Sequence, residues 1–336
     1  MKYSAPCSRA DRIRFASAAL LFFAAAALGI FCGSTPVTPG DLLSALRQGA
    51  VGPAERIFLY VRLPRTLGSL LAGAALAVAG AVIQNVLANG LASPSVIGVN
   101  SGAGLAVTLC TALGVYGGWQ LSFFAFLGAL GAVSLVSLGA KKWGTSRSTL
   151  ILMGVAMNSL LGAVSDTVVT FFPEVGVMSN DFRMGDLAAV NLGKVLPAGV
   201  LISGGILVLL TLCSELDVLT LGEDTARGLG MNTKAFRTGF LLLAALLAGC
   251  AVSLGGLLSF VGLLVPHAVR RLGGVASRQL IPLCALAGAG FVTVCDTAAR
   301  TLFAPYEVPV GIFMAFLGAP FFLFLLIKGK GGAADA

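Results

Sequence analysis

TLGSLLAGAALAVAGAVIQNVL, residues 66–87, runs for 22 positions without a charged side chain. At 1.5 Å per residue a helix of that length covers about 33 Å, and the hydrocarbon core of a bilayer is about 30 Å thick. The stretch therefore reads as a membrane crossing. Working outward, nine more apolar blocks follow, at roughly 15–33, 93–113, 119–139, 149–171, 195–214, 235–255, 256–268, 280–299 and 309–327. The block 256–268 is short for a crossing. Hydrophobic residues make up 57% of the chain and charged residues 11%, and the mean hydropathy is +0.96. The expected fold is an all-α polytopic membrane protein of about ten transmembrane helices, one transmembrane domain over residues 1–336.

Between these blocks little polar chain is left. The longest connections, near 34–64, 172–194 and 215–234, are too short to bury a core of their own. A soluble catalytic domain is excluded on that ground. The only Gly-Lys pairs are Gly193-Lys194 and Gly329-Lys330, and neither completes a P-loop, so the chain alone is no ATPase and is read as no enzyme. Seven cysteines show no metal-ligand spacing, and the single histidine, His267, excludes a multi-histidine metal centre. His267 follows Pro266 and reads as structural. The net charge of +8 is spread over several short loops, which points to topology rather than nucleic acid. Lys2, Arg9, Arg12 and Arg14 precede the first apolar run in the manner of a signal peptide, but no convincing cleavage site closes the run, so it is read as the first crossing. Glycine stands at 44 positions, and stripes such as Gly73-Ala77-Ala81 and Gly98-Gly102 suit close helix packing or a surface along which helices slide.

Threading ten crossings with the N-terminus inside places fifteen of the 22 Lys and Arg residues in the cytoplasm and seven outside. That bias puts both termini inside. A weak internal repeat relates LAGAALAVAG (71–80) to LAGCAVSLGG (247–256), on helices threaded in opposite directions. Opposed repeats mark many transporters, although Gly/Ala-rich helices also resemble one another by chance.

Three arginines break the charge rule. Arg62 and Arg65 stand at the outer mouth of the second crossing, where Pro64 suits a first helical turn, and Arg300 stands at the outer end of the ninth. They read either as interfacial snorkelling or as a basic rim for an acidic partner or anionic solute. Asp296 lies one turn before Arg300 and reads as its i,i+4 partner. On the cytoplasmic side, ELDVLTLGEDTARGLGMNTK (215–234) reads as two short amphipathic helices, either an ordinary connection or a knob that a partner pushes.

Five stretches in order carry a resemblance: RLPRTLGSLLAGAALAVAGAVIQ (62–84), NGLASPSVIGVNSGAG (89–104), LGEDTARGLGMN (221–232), LSFVGLLVPHAVR (258–270) and EVPVGIFMAFLGAPFFLFLL (307–326). Together they resemble the FecCD-like permease subunits of ABC importers for iron-siderophores, haem and cobalamin. The resemblance implies a type II importer permease with an inverted repeat, multi-pass in the bacterial or archaeal inner membrane. It implies a second permease copy or sister permease, two cytoplasmic ABC ATPase subunits that bind the ATP and Mg, and an extracytoplasmic solute-binding protein. No cofactor is implied for this chain, and besides these partners only membrane lipid, with no nucleic acid. Arg62, Arg65 and Arg300 would meet acidic residues of the binding protein. The stretch 217–232, with Leu221, Gly222, Glu223, Ala226, Leu229 and Gly230, would form the coupling helices against the ATPase. Asn89, Leu91 and Ser93, with Ser146, Ser148 and Thr149, would lie near the cytoplasmic gate. Two departures stand out: Gly90 replaces the family's proline, and the run Phe182–Asp186 lacks its Trp and Gly-Ser pair. The rival reading is an ion-gradient-driven secondary transporter, for which Asp166 and Asp296 are the only membrane-embedded acids available.

Overall fold

The computed structural model describes residues 9–33, 38–48, 52–116, 118–143, 147–273 and 276–330, and among them it contains helices and no strand. The chain opens with α1 (Arg9–Phe31), α2 (Pro39–Gln48) and α3 (Pro53–Ile57), and a π-turn at Phe58–Arg62 leads into α4 (Leu63–Leu87). A 3₁₀ turn at Pro94–Ile97 precedes α5 (Val99–Ala112), followed by α6 (Gly118–Trp143) and α7 (Arg147–Phe171). The short α8 (Pro173–Met178) and α9 (Asn180–Met184) lead to α10 (Leu192–Thr211). Then come α11 (Cys213–Thr220), α12 (Glu223–Gly228), α13 (Thr233–Gly255), α14 (Val261–Arg271), α15 (Ser277–Thr301) and α16 (Val310–Lys330).

Among the described residues, seven helical stretches are long and apolar enough to cross a bilayer, counting Pro53–Leu87 as one. Val99–Ala112 and Val310–Leu323 are shorter apolar helices, and α14 adds 11 residues. These segments match the ten apolar blocks of the sequence, with two adjustments. The block 256–268 is no continuous helix: Gly256 and Phe260 adopt left-handed φ values of 69° and 66°, and Leu257 N–H donates to the Phe182 carbonyl at 2.9 Å. Helix begins only at Val261. The block 93–113 is likewise interrupted, because Gly98 takes φ 97° between the 3₁₀ turn and α5. Irregular backbone at membrane depth is tolerated where protein surrounds it. Here the two broken stretches meet: a Cβ on Gly262 would lie 3.0 Å from Pro94 Cδ.

The core is built around α4, which is buried over 83% of its apolar window. Helices α13, α14 and α15 pack along it. Small residues allow this closeness, since lipid supplies no hydrophobic drive between helices. A side chain at Gly73 would strike the Gly288 carbonyl of α15, and one at Gly80 would strike Gly262 of α14. Paired contacts set the directions. Arg65 meets Asp296, Ser69 meets Thr293 and Asn85 meets Ser277, so α4 and α15 are antiparallel. Arg14 reaches Gly273 while Arg300 reaches Gly29, so α1 and α15 run together. Helix α13 starts beside α12, where Arg237 pairs with Glu223, and ends beside Phe182. The two copies of the sequence repeat therefore sit on packed helices of opposite direction, α4 and α13.

Candidate functional site

The chain directions sort the polar residues into two ends. One end gathers Arg62, Arg65 and Arg300. All three are buried within the chain, at 3%, 3% and 5% exposure. The physical reason is the C-terminus of α1. Its last carbonyls have no helical donor and carry the negative end of the helix dipole. Arg62 Nη1 donates to Ile30 O and Phe31 O, each at 3.0 Å, and Arg300 Nη2 donates to Gly29 O. Arg65 instead holds carboxylates. Its Nε lies 3.0 and 3.1 Å from the two Asp296 oxygens, and its Nη1 donates to Glu307 Oε2 at 2.7 Å. The expected i,i+4 pair of Asp296 with Arg300 is present but long, at 4.0 Å. Asp296 belongs first to Arg65, 231 positions away in sequence. Glu307 is the exposed member of the group, with 48% of its side chain open.

Near that end the 172–194 connection folds into α8 and α9 and is tied down by backbone bonds. Gly311 N–H donates to Gly185 O at 3.0 Å, and Phe182 O accepts from Leu257 N–H. The run Phe182–Asp186, where the chain departs from the family pattern, is thereby fixed to the start of α16 and the end of α13. A cavity of about 730 Å³ opens beside it, lined by Tyr116, Asp181, Asp186, Asn191 and Lys194 among others. Nothing in one-dimensional spacing pointed to that cavity, because its walls come from three separate stretches of chain, 111–122, 178–194 and 253–256.

The other end carries α11 and α12, the two short helices expected within 215–234. Gly222, at φ 107°, makes the corner between them, and Gly230, at φ 82°, ends the second. Leu221 and Leu229 project, at 60% and 65% exposure, while Ala226 is fully buried. Glu223 faces its own chain: it pairs with Arg227 and, at 3.1 Å, with the buried Arg237. Arg147 Nη2 donates to Leu219 O at 3.1 Å, which ties the start of α7 to α11.

The predicted gate residues follow α4. Ala88 takes a left-handed φ of 43°, and Asn89 N–H returns to Gln84 O at 3.0 Å. Asn89 Oδ1 accepts from Leu91 N–H at 2.9 Å, and Ser93 Oγ bonds Ser95 Oγ at 2.8 Å. A Cβ on Gly90 would meet nothing within 4 Å and its φ is not left-handed, so this turn makes no demand for glycine there. Asn158 of α7 braces the segment by donating to Ser95 O at 2.9 Å. Ser148 is exposed and Thr149 half-buried at the start of α7, and Ser146 lies outside the described residues. The arginines and the turn 88–93 thus sit at opposite ends of α4. Among the described residues no group of three or more His, Cys, Asp or Glu side chains could hold a metal ion.

The model of the FecCD transport family matches residues 20–328. The Fe(3+)-citrate import system permease protein YfmD of Bacillus subtilis is 34% identical over 331 residues, covering 98% of this chain and 99% of that protein. The hemin transport system permease protein HmuU of Yersinia pestis is 36% identical over 282 residues, covering 82% and 84%. A solved structure described as an inward-facing conformation of a transporter of the metal-chelate ABC type superposes with a TM-score of 0.83 at 30% identity, covering 94% of this chain and 99% of that one. A match that runs from the first crossing to the last leaves one assignment: the chain belongs to the FecCD transport family.

Proposed function

We propose that this protein is the membrane-spanning permease subunit of an ABC importer that takes up a ferric siderophore or similar metal chelate, with haem and cobalamin as the next candidates. The family match over residues 20–328 carries the reading. The relatives bearing iron-citrate and hemin names are about equally similar, which supports the chelate class without choosing a member. Two ABC ATPase subunits supply the energy from the α11–α12 side, with the projecting Leu221 and Leu229 as contacts, Ala226 as the buried anchor and Gly222, Glu223 and Gly230 shaping the knob. A solute-binding protein docks at the arginine end. Because Arg62, Arg65 and Arg300 are buried within one chain, they act as positive potential beneath the surface, and a partner carboxylate must compete with Glu307 to reach Arg65. Docking and ATPase contact lie at opposite ends, as alternating access across a membrane requires. Both termini belong on the ATPase side, in the cytoplasm of an inner membrane.

The second permease copy and the pathway fall on α7. Only 11% of its apolar window is buried within the chain. Asp166 is exposed on it among Thr167 and Thr170. An acidic residue inside a crossing is expensive against lipid and belongs against protein or a water-filled passage.

Co-purification with the ATPase encoded beside it, followed by ATP hydrolysis in nanodiscs with and without the binding protein, tests the reading. Hydrolysis that responds to the binding protein is the expected result. A chain that recruits no ATPase yet transports on an ion gradient alone would make it a secondary transporter instead.

A further inference from the structure

Below α4, at the end opposite the arginines, four helices are joined by a single run of polar side chains. Asp217 of α11 accepts twice at Oδ1, from Ser277 N–H at 2.9 Å and from Ser277 Oγ at 2.5 Å. Ser277 opens α15, so this carboxylate satisfies one of its free N–H groups and sits at the positive end of its dipole. The same Ser277 hydroxyl accepts from Asn85 Nδ2 of α4 at 3.2 Å. Asn85 Oδ1 then accepts from Arg270 Nη2 of α14 at 2.8 Å, and Arg270 Nη1 donates to Gln84 Oε1. Gln84 Nε2 closes the run on the Gly262 carbonyl at 3.2 Å. Ser277 is fully buried, and Gln84 and Asn85 are at 2% and 9% exposure.

Two features separate this run from ordinary packing. A buried polar group left unpaired costs free energy, whereas apolar side chains could pack four helix ends without that exposure. Gln84 and Asn85 are also occupied on both sides. Their side chains take Arg270 and Ser277, while their backbone carbonyls take Asn89 N–H at 3.0 Å and Ala88 N–H at 3.2 Å. The residues that hold the turn 88–93 are therefore the residues that end the polar run from α11.

We propose that Ser277, with Asp217 on one side and Asn85 on the other, is the positioning joint that passes movement of the α11–α12 knob to the turn 88–93 at the end of α4. The proposal rests on the reading of that knob as the ATPase contact and of the turn as lying beside the gate. A hydrogen bond is directional, so a shift of Asp217 must either carry Ser277 and Asn85 with it or break the run. The competing route from the same helix is the Leu219 carbonyl to Arg147 of α7.

The test uses the complete complex in nanodiscs: permease, cognate ATPase subunits and binding protein. Leu91→Cys in the turn, 52% exposed, reports by its maleimide labelling rate with and without ATP and vanadate. In the otherwise native chain the labelling rate should change with nucleotide. Ser277→Ala, and separately Asp217→Asn, should cut that response by about fivefold or more, the lower range of measured coupling between sites. ATP hydrolysis should continue in both. The double variant should be no worse than either single one, because both act on one link. Ser277→Thr, which keeps the hydroxyl, should restore the response, a result that lost packing alone does not predict. An unchanged response in Ser277→Ala and Asp217→Asn would overturn the proposal and move transmission to Arg147. A Leu91→Cys chain that recruits no ATPase would sink the importer reading itself, and the proposal with it, before any Ser277 variant is made.

Discussion

Arg65 is the residue on which the arginine end depends. It neutralises Asp296, which is 1% exposed and whose other cation, Arg300, stands farther off at 4.0 Å. Asp296→Ala would leave Arg65 and Arg300 buried beside an empty site. Breaking a buried pair from one side costs about 3–5 kcal/mol. A large fall in the melting temperature of the detergent-purified protein is expected, and a wild-type melting curve would remove the pair from the list of stabilising contacts. Reversing Arg62 and Arg65 to glutamate, the obvious docking test from sequence, is compromised for the same reason. Arg65→Glu would set a second carboxylate against Asp296, and Arg62→Glu would uncap α1. Glu307→Gln is the cleaner variant, since half of that side chain is already open. Freed of a partly exposed ion pair, Arg65 should bind the binding protein up to about fivefold more tightly. Titration of the binding protein onto nanodiscs reads this, and unchanged affinity would mean that no partner carboxylate reaches Arg65. The three arginines were legible in sequence as exceptions to the charge bias. Of their partners only Asp296 was legible, as the i,i+4 neighbour of Arg300; Gly29, Ile30 and Phe31 act through backbone carbonyls that carry no residue-type signal.

Among the elements, the α11–α12 knob was the most legible. Its polar composition, its helical spacing through Leu219, Ala226 and Leu229 and its punctuating glycines all described local structure. Burial refined it: Ala226 is the inward anchor, while Leu229 points out at 65% exposure. Glu223 proves a poor probe of partner contact, because its loss strips Arg237 of its carboxylate. Leu229→Asp is preferable. An exposed apolar anchor at an interface costs more than about 1 kcal/mol when removed, so ATPase recovery in co-purification should fall by about fivefold or more while the folded yield of the permease is kept. Full recovery would show that Leu229 lies outside the interface. The broken stretches before α5 and α14 were only half legible. Hydropathy is high through both, and a left-handed Phe260 has no sequence signature of its own.

Over the whole molecule, the uneven burial of the crossings is the main functional clue. Helix α4 is buried over 83% of its apolar window, whereas α7 is left open within the single chain. Val155 on α7 is 52% exposed. If α7 faces the second permease, Val155→Cys should give a cross-linked dimer with a bifunctional thiol reagent in nanodiscs. A product that stays monomeric while a surface cysteine reacts would assign that face to lipid.

The sequence by itself determined the solvent, the number of apolar segments, the two unlike ends and the knob. Each depends on sums over neighbouring residues, and apolar length and charge are additive along a chain. Only the tertiary structure decided which helix is enclosed, that the outer arginines are buried, and that Ser277 joins Asp217 to Asn85. Those outcomes depend on the rotation and approach of helices far apart in sequence. Backbone contacts such as Gly73 with Gly288 and Gly80 with Gly262 set that approach; the stripe Gly73-Ala77-Ala81 reads as a packing face, but nothing along either segment says which helix it meets.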